Sequence, residues 1–262
     1  MSIQAEDAQV ERATSATRRI IIALAVSWSS LQNCRHGYGG HICRRRSVMT
    51  ARQRHSSAVT LDRILMTARD AFAEHGFDGA KLDSIAKAAG VTKQLVYHYF
   101  KTKEELYGVV LDRVSDETLA MLDSPDYDQL PPQDAVRCLI ERIIQAYVER
   151  PYIVGMTVDQ DLHKGEHISR RSKYMPSVRT FVTERVAPML ERGVTEGVFR
   201  PGVDSRLFYW SIFALATACF TQNWAMSQSA GIDFASEDGI DLWREHVTSF
   251  ALQAIMLPAL PR

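Results

Sequence analysis

Between Leu82 and Leu106 the chain reads LDSIAKAAGVTKQLVYHYFKTKEEL, and this stretch limits the possible folds more than any other. Leu82, Ile85, Ala86 and Ala89 recur at helical spacing, Gly90 and Val91 interrupt the pattern, and a second short helix opens at Thr92. Glycine at position 90 suits the left-handed conformation that ends a helix. Thr92 is placed to cap the helix that follows, and Thr102 to Glu105 spell a capping box for a third. The spacing predicts helix, tight turn, helix.

The second helix carries Lys93, Gln94, Tyr97 and His98 on its exposed side, while Val96 and Phe100 face back towards the first helix. Such a surface suits the DNA major groove, which admits one α-helix and presents hydrogen-bonding base edges. Lys101 and Lys103 add positive charge just beyond. A helix pair on the surface of any all-α domain fits the same spacing, so the pattern alone leaves both readings open.

Upstream, Ile64, Leu65, Ala68, Phe72, Gly76 and Phe77 complete a larger pattern. Taken in order, ILMTARDAFAEHGF, IAKAAGV, LVYHYF and KEEL resemble the DNA-binding domain of TetR-family transcriptional regulators, over Thr60 to Leu106. The resemblance implies an all-α chain: an N-terminal three-helix helix-turn-helix domain, then a larger helical domain for ligand binding and dimerisation. It implies a homodimeric, ligand-responsive regulator, a repressor released from operator DNA by an unidentified small-molecule effector, working in the cytoplasm without a cofactor. Lys93 and Gln94 are expected at base edges, with Leu95 against a thymine methyl, and Thr92, Tyr97, Tyr99 and Lys103 at phosphates. Where the family usually carries two hydroxyl residues before its second helix, this chain has Ala80 and Lys81, so Lys81 is expected to meet a phosphate through its charge.

Domain boundaries are expected at 1–55, 56–105 and 106–262. Net charge is zero over 262 residues, yet residues 1–56 hold nine arginines against three acids, leaving 22 basic and 28 acidic residues beyond. DNA binding therefore rests on a local basic face, not on overall charge. The N-terminal segment does not read as a domain. Ile20–Val26 imitates a signal peptide without a convincing cleavage site, and Cys34, His36, His41 and Cys43 lie at a spacing unlike the usual zinc fingers. Met49 opens a short basic arm containing Arg52 and Arg54, and is expected to be the true start, residues 1–48 being an extension. Four scattered cysteines give no disulfide framework, and no run reaches the length of a membrane span.

Helices are expected at Thr60–His75, Lys103–Leu122, Ala135–Glu149, Met156–Leu162, Tyr174–Arg192 with an offset at Pro188, Asp204–Met226 and Asp238–Met256. The prolines and acids of Ser124–Asp134 read as a loop. The last two helices are apolar on several sides and are expected to form the dimer interface. For the effector pocket the aromatic and polar candidates are Tyr147, Tyr152, Met156 and His163, with Tyr174, Phe181, Trp210 and Phe213. One stretch supports a different chemistry. His163-x-x-Glu166-His167 fits the H-x-x-E-H pattern of a zinc metalloenzyme, or a metal sensor, provided both histidines share a helical face. An α-helical interaction protein without DNA binding is the remaining alternative.

Overall fold

A computed structural model describes residues 51–168 and 172–257. Ile20–Val26, the cysteine and histidine cluster, Met49 and the side chains of Arg52 and Arg54 lie outside that description. The architecture below is that of residues 62–257. It is all-α, as expected, and its β-type pairing among the described residues is the isolated bridge between Phe199 and Met256.

Helix α1 runs Ala51–Gly79, starting nine residues before the expected Thr60. No glycine or proline interrupts residues 51–75, so nothing stops the helix from extending towards the N-terminus. Gly76 breaks it with φ 67° and ψ 179°, a conformation open to glycine and strained for other residues. Phe77 can then turn inwards, where it stacks 6.2 Å from Phe72.

Helices α2 (Leu82–Ala88) and α3 (Lys93–Tyr99) follow, joined at Gly90, φ 65°. The Val91 N–H donates to the Ala86 carbonyl at 3.0 Å, which closes the C-terminus of α2. Ile85, Ala86, Val96 and Phe100 are buried between these helices and α1. Helix α4 (Lys103–Leu122) buries Leu106, Tyr107, Val110, Leu111 and Val114. Its expected capping box is displaced by one residue: Thr102 accepts from the Glu105 N–H at 3.2 Å, while the Glu105 carboxylate accepts from the Lys101 N–H at 2.7 Å.

Helix α5 (Pro132–Glu149) is central, with Val136, Leu139, Ile140 and Ile144 fully buried, and it packs on α4, α9 and α11. The preceding segment, expected as a plain loop, is pinned. Pro125–Asp128 makes a 3₁₀ turn, Tyr127 points into the core, and Arg192 donates to the carbonyls of Tyr127 and Leu130, both at 2.7 Å. Helix α6 (Tyr152–Leu162) starts earlier than expected. A Cβ on its Gly155 would lie 2.0 Å from the Ala73 carbonyl oxygen, so the α6 backbone rests directly on α1.

Helices α7 (Tyr174–Phe181) and α8 (Ala187–Thr195) are joined by a π-turn at Val182–Val186. Pro188 offers no N–H and crowds the preceding turn, so the backbone widens just before it. The long apolar helix expected over Asp204–Met226 divides at Gln222 into α9 (Ser205–Thr221) and α10 (Asn223–Ala230). Asp204 caps α9, accepting from the Arg206 N–H at 2.9 Å. Helix α11 (Glu237–Ile255) closes the fold against α5 and α9. Among the described residues no helix is long and apolar enough to cross a membrane.

Candidate functional site

Helix α3 is anchored on one side and open on the other. Val96 is fully buried, whereas Lys93, Gln94, Tyr97 and His98 are exposed and Leu95 and Tyr99 are half-buried. Thr92 caps the helix by accepting from the Leu95 N–H at 3.3 Å, and its exposed side chain stands beside the open face. The polar face expected from the spacing is therefore present, on a helix braced by α2.

Two of its cations are engaged. The Lys93 ammonium donates to the Asp83 carboxylate on α2 at 2.9 Å, and this bond holds its pKa above the ordinary lysine value. Lys103 turns away from the open face: its ammonium donates to the Asp78 carbonyl at 3.3 Å and sits 4.6 Å from the centre of the Phe77 ring. Lys81 is exposed at the N-terminus of α2, where its side chain makes no cap. Its ammonium can reach an anion, but the capping role of a hydroxyl is lost.

A second feature lies within the larger helical region. Five of the eight pocket candidates, Tyr147, Met156, Tyr174, Trp210 and Phe213, line one cavity of about 50 Å³. The other three stand elsewhere. Tyr152 lies under the Arg69 guanidinium, 4.0 Å from its ring centre; Phe181 packs into the core against Tyr209; His163 belongs to the junction described next. Aromatic composition could not separate cavity wall from core, because both use the same side chains.

The cavity also takes Ser115 and Thr118 from α4 and Thr157 and Gln160 from α6, none of which sequence reasoning singled out. The available signal was Ser115, a serine set among Leu111, Val114 and Leu122 on the buried side of α4. Tyr147 and Thr157 share a hydrogen bond of 3.1 Å, and burial pushes the Tyr147 phenol up to about 12.

Between cavity and helix-turn-helix stands Asp159, buried on α6. Its carboxylate accepts from the Phe77 N–H at 2.9 Å and from the Tyr107 hydroxyl at 2.6 Å. One carboxylate thus joins the end of α1 beyond the Gly76 break, the start of α4, and α6. A Cβ at Gly76 would lie 2.6 Å from the same carboxylate, so the contact is close as well as polar. The His163 Nδ1 lies 2.9 Å from the Asp159 carbonyl oxygen, and its Nε2 lies 3.4 Å from the Asp78 carboxylate. These partners raise the His163 pKa above that of an ordinary histidine, the Asp159 carbonyl most of all.

The helical face that an H-x-x-E-H zinc site requires does not form. Helix α6 ends at Leu162, Lys164 and Gly165 have φ of 51° and 69°, and residues 164–168 are turns and bends. His167 instead stacks on Phe77 at 3.7 Å. Gly165 in the middle of the motif is the physical reason, since it supplies the left-handed turn that a helix interior would not contain.

Comparison with known proteins matches both regions. Residues 64–110 match the family described as bacterial regulatory proteins, tetR family, and residues 132–250 match the tetracyclin repressor-like C-terminal domain. The HTH-type transcriptional repressor NicS of Pseudomonas putida is 26% identical over 201 residues, which cover 75% of this chain and 92% of that protein. The HTH-type transcriptional regulator RutR of Escherichia coli is 43% identical over 68 residues, 26% of this chain and 32% of its own. Among solved structures, FadR of Bacillus subtilis in complex with stearoyl-CoA superposes with a TM-score of 0.57 at 20% identity, covering 74% of this chain and 98% of that one. KstR2 of Mycobacterium tuberculosis, a ketosteroid transcriptional regulator, gives 0.56 at 21%, over 76% and 95%.

Proposed function

The chain belongs to the TetR family of bacterial transcriptional regulators, and from that premise we propose that it is a homodimeric repressor released from its operator by a small molecule. Residues 56–105 serve as the DNA-binding unit, and residues 106–262 hold the effector and the dimer partner. The observation that carries the reading is α3, with a buried Val96 fixing a helix whose other face is polar, aromatic and exposed.

In the complex, α3 enters the major groove with Gln94 and Lys93 at base edges and Leu95 near a thymine methyl. Thr92, Tyr97, Tyr99 and Lys81 hold phosphates and so fix the register. Lys103 reaches a phosphate after leaving the Asp78 carbonyl, and Lys93 reaches a base after leaving Asp83. Both exchanges replace one oxygen partner with another.

A two-fold dimer places two such helices one DNA turn apart on a palindromic operator. The effector occupies the cavity lined by Tyr147, Met156, Tyr174, Trp210 and Phe213, and shifts the spacing of the two recognition helices. It lowers operator affinity only as far as it discriminates between the two conformers. His163 and His167 act structurally at the junction, with no catalytic part.

Fluorescence anisotropy against DNA upstream of the protein's own gene, over a salt series, tests this. The expected result is binding well above that to scrambled DNA, weakening steeply as salt rises. Failure both there and in selection from random DNA would remove the repressor reading.

A further inference from the structure

We propose that the effector is an uncharged single-ring compound bearing both a hydrogen-bond donor and an acceptor, held between Ser115 on α4 and Gln160 on α6. The inference rests on the regulator reading above, in which this cavity receives the effector.

Two polar atoms carry it. Ser115 is 5% exposed, and its Oγ has no hydrogen-bond partner among the described residues. The Gln160 Oε1 is likewise buried and unpartnered. Both residues line the cavity. The orientation of the Gln160 amide is fixed by chemistry: its nitrogen donates to the Met156 carbonyl at 3.2 Å, and a carbonyl can only accept, so the oxygen is the side left open. A bound molecule therefore meets an acceptor at Gln160 and a hydroxyl at Ser115. Leaving such groups unmatched is costly, which selects for a ligand that satisfies both.

The described wall is uncharged. Among the described residues no Lys, Arg, His, Asp or Glu lines the cavity, so an ion would lose hydration there without gaining a counter-charge from them. A coenzyme A thioester, with its phosphates, does not match this lining.

The aromatic walls point to a ring, which enters only as the wall gives way. The cavity volume is about 50 Å³ and its walls include Tyr147, Tyr174, Tyr209, Trp210 and Phe213. A cavity that accepts benzene measures about 150 Å³, so a ring displaces a wall side chain as it binds. Trp210, 45% exposed in the single chain, is a wall side chain on the outer edge of the fold, where a shift meets the fewest atoms of its own chain. The bound ring then bridges α4 and α6 one residue away from Asp159, the carboxylate that holds Phe77 and Tyr107.

The test is titration calorimetry of the full chain with three isosteres that differ in charge: neutral benzamide, anionic benzoate and cationic benzamidine. Benzamide is expected to bind, with benzoate and benzamidine at least about tenfold weaker. Ser115→Ala and Gln160→Leu should each weaken benzamide by about five- to tenfold, the scale of one lost hydrogen bond. Ser115→Ala favours the helix and loses only a hydroxyl, so it provides a folded variant even where Gln160→Leu disturbs packing. The proposal is overturned by any of three results: benzoate binding as tightly as benzamide, Ser115→Ala binding benzamide like wild type, or no benzamide binding at millimolar concentration. Operator binding measured without any of these compounds reports separately on the regulator reading. Specific DNA binding combined with one of those three results rejects the ligand class alone.

Discussion

At the scale of single residues, two carboxylates do unlike work. Asp83 and Lys93 are both exposed, and their 2.9 Å pair joins α2 to α3 in solvent, where such pairs add little stability. Its larger effect is on DNA binding, because Asp83 competes with DNA for Lys93 and places a negative charge beside the phosphates. Asp83→Asn should therefore tighten operator binding severalfold and steepen its salt dependence by about one counterion, as read by anisotropy at several salt concentrations. An unchanged affinity and slope would mean that Lys93 does not contact DNA. Asp159 is the opposite case, buried and accepting from two donors. Asp159→Ala strands two donors, the Phe77 N–H and the Tyr107 hydroxyl, and should cost about 2–3 kcal/mol, whereas Tyr107→Phe strands one acceptor, the Asp159 Oδ2, and should cost about 1–2 kcal/mol. Urea unfolding of the two variants and their combination measures this. Equal losses in both single variants would contradict the shared-acceptor geometry.

At the scale of elements, the helix-turn-helix was legible because short-range rules fix it: Gly90 ends one helix, Thr92 caps the next, and Val96 and Phe100 follow at helical spacing. The cavity was legible only in part. Tyr147, Trp210 and Phe213 announced aromatic walls, but Ser115 and Gln160 matter through being opposite one another across α4 and α6, which no local pattern encodes. The junction was hidden for the same reason. Asp159 meets Phe77 across 82 residues of sequence, and Gly155 meets α1 through backbone. The zinc-like spacing stood only as an alternative, and the left-handed turn at Gly165, inside the motif, is what parts its residues from a helix.

The stability of the junction is expected to depend on pH. His163 faces the Asp159 carbonyl and carboxylate on α6, the Asp78 carboxylate at the end of α1, and the His167 ring at 4.9 Å. These oxygens favour the imidazolium, so the folded pKa lies above the unfolded value of about 6.5. The resulting stabilisation is fully present below the unfolded pKa and is lost as pH rises through the folded one. The gap in unfolding midpoint between wild type and His163→Gln should therefore be widest in mildly acidic buffer and close towards alkaline pH. A gap that widens with pH would reverse the assigned sign.

At the scale of the whole molecule, exposed apolar side chains occur on many helices, Trp224 and Leu162 the most exposed at 78% and 74%, and four of them lie on α9 and α11. Leu207 and Trp210 on α9 are 70% and 45% exposed, and Leu242 and Phe250 on α11 are 51% and 55% exposed. Three- and four-residue steps keep each set on one helical face, with His246 stacked between Trp243 and Phe250. A stripe of this kind on two adjacent helices suits an isologous contact, in which the same patch meets its copy about a two-fold axis. Trp210 belongs both to this stripe and to the cavity wall, so a ligand that moves Trp210 acts on the subunit contact as well as on α4 and α6. Phe250→Glu would bury a carboxylate without a partner at the centre of that contact. Light scattering should then give the 29.5 kDa mass of one chain, and twice that value is expected for wild type. Operator affinity should fall by about a hundredfold or more, because the second recognition helix no longer binds as part of the same molecule. If Phe250→Glu and Leu242→Glu both remain dimeric, the partner sits on another face and Trp210 does not couple the cavity to the subunit contact.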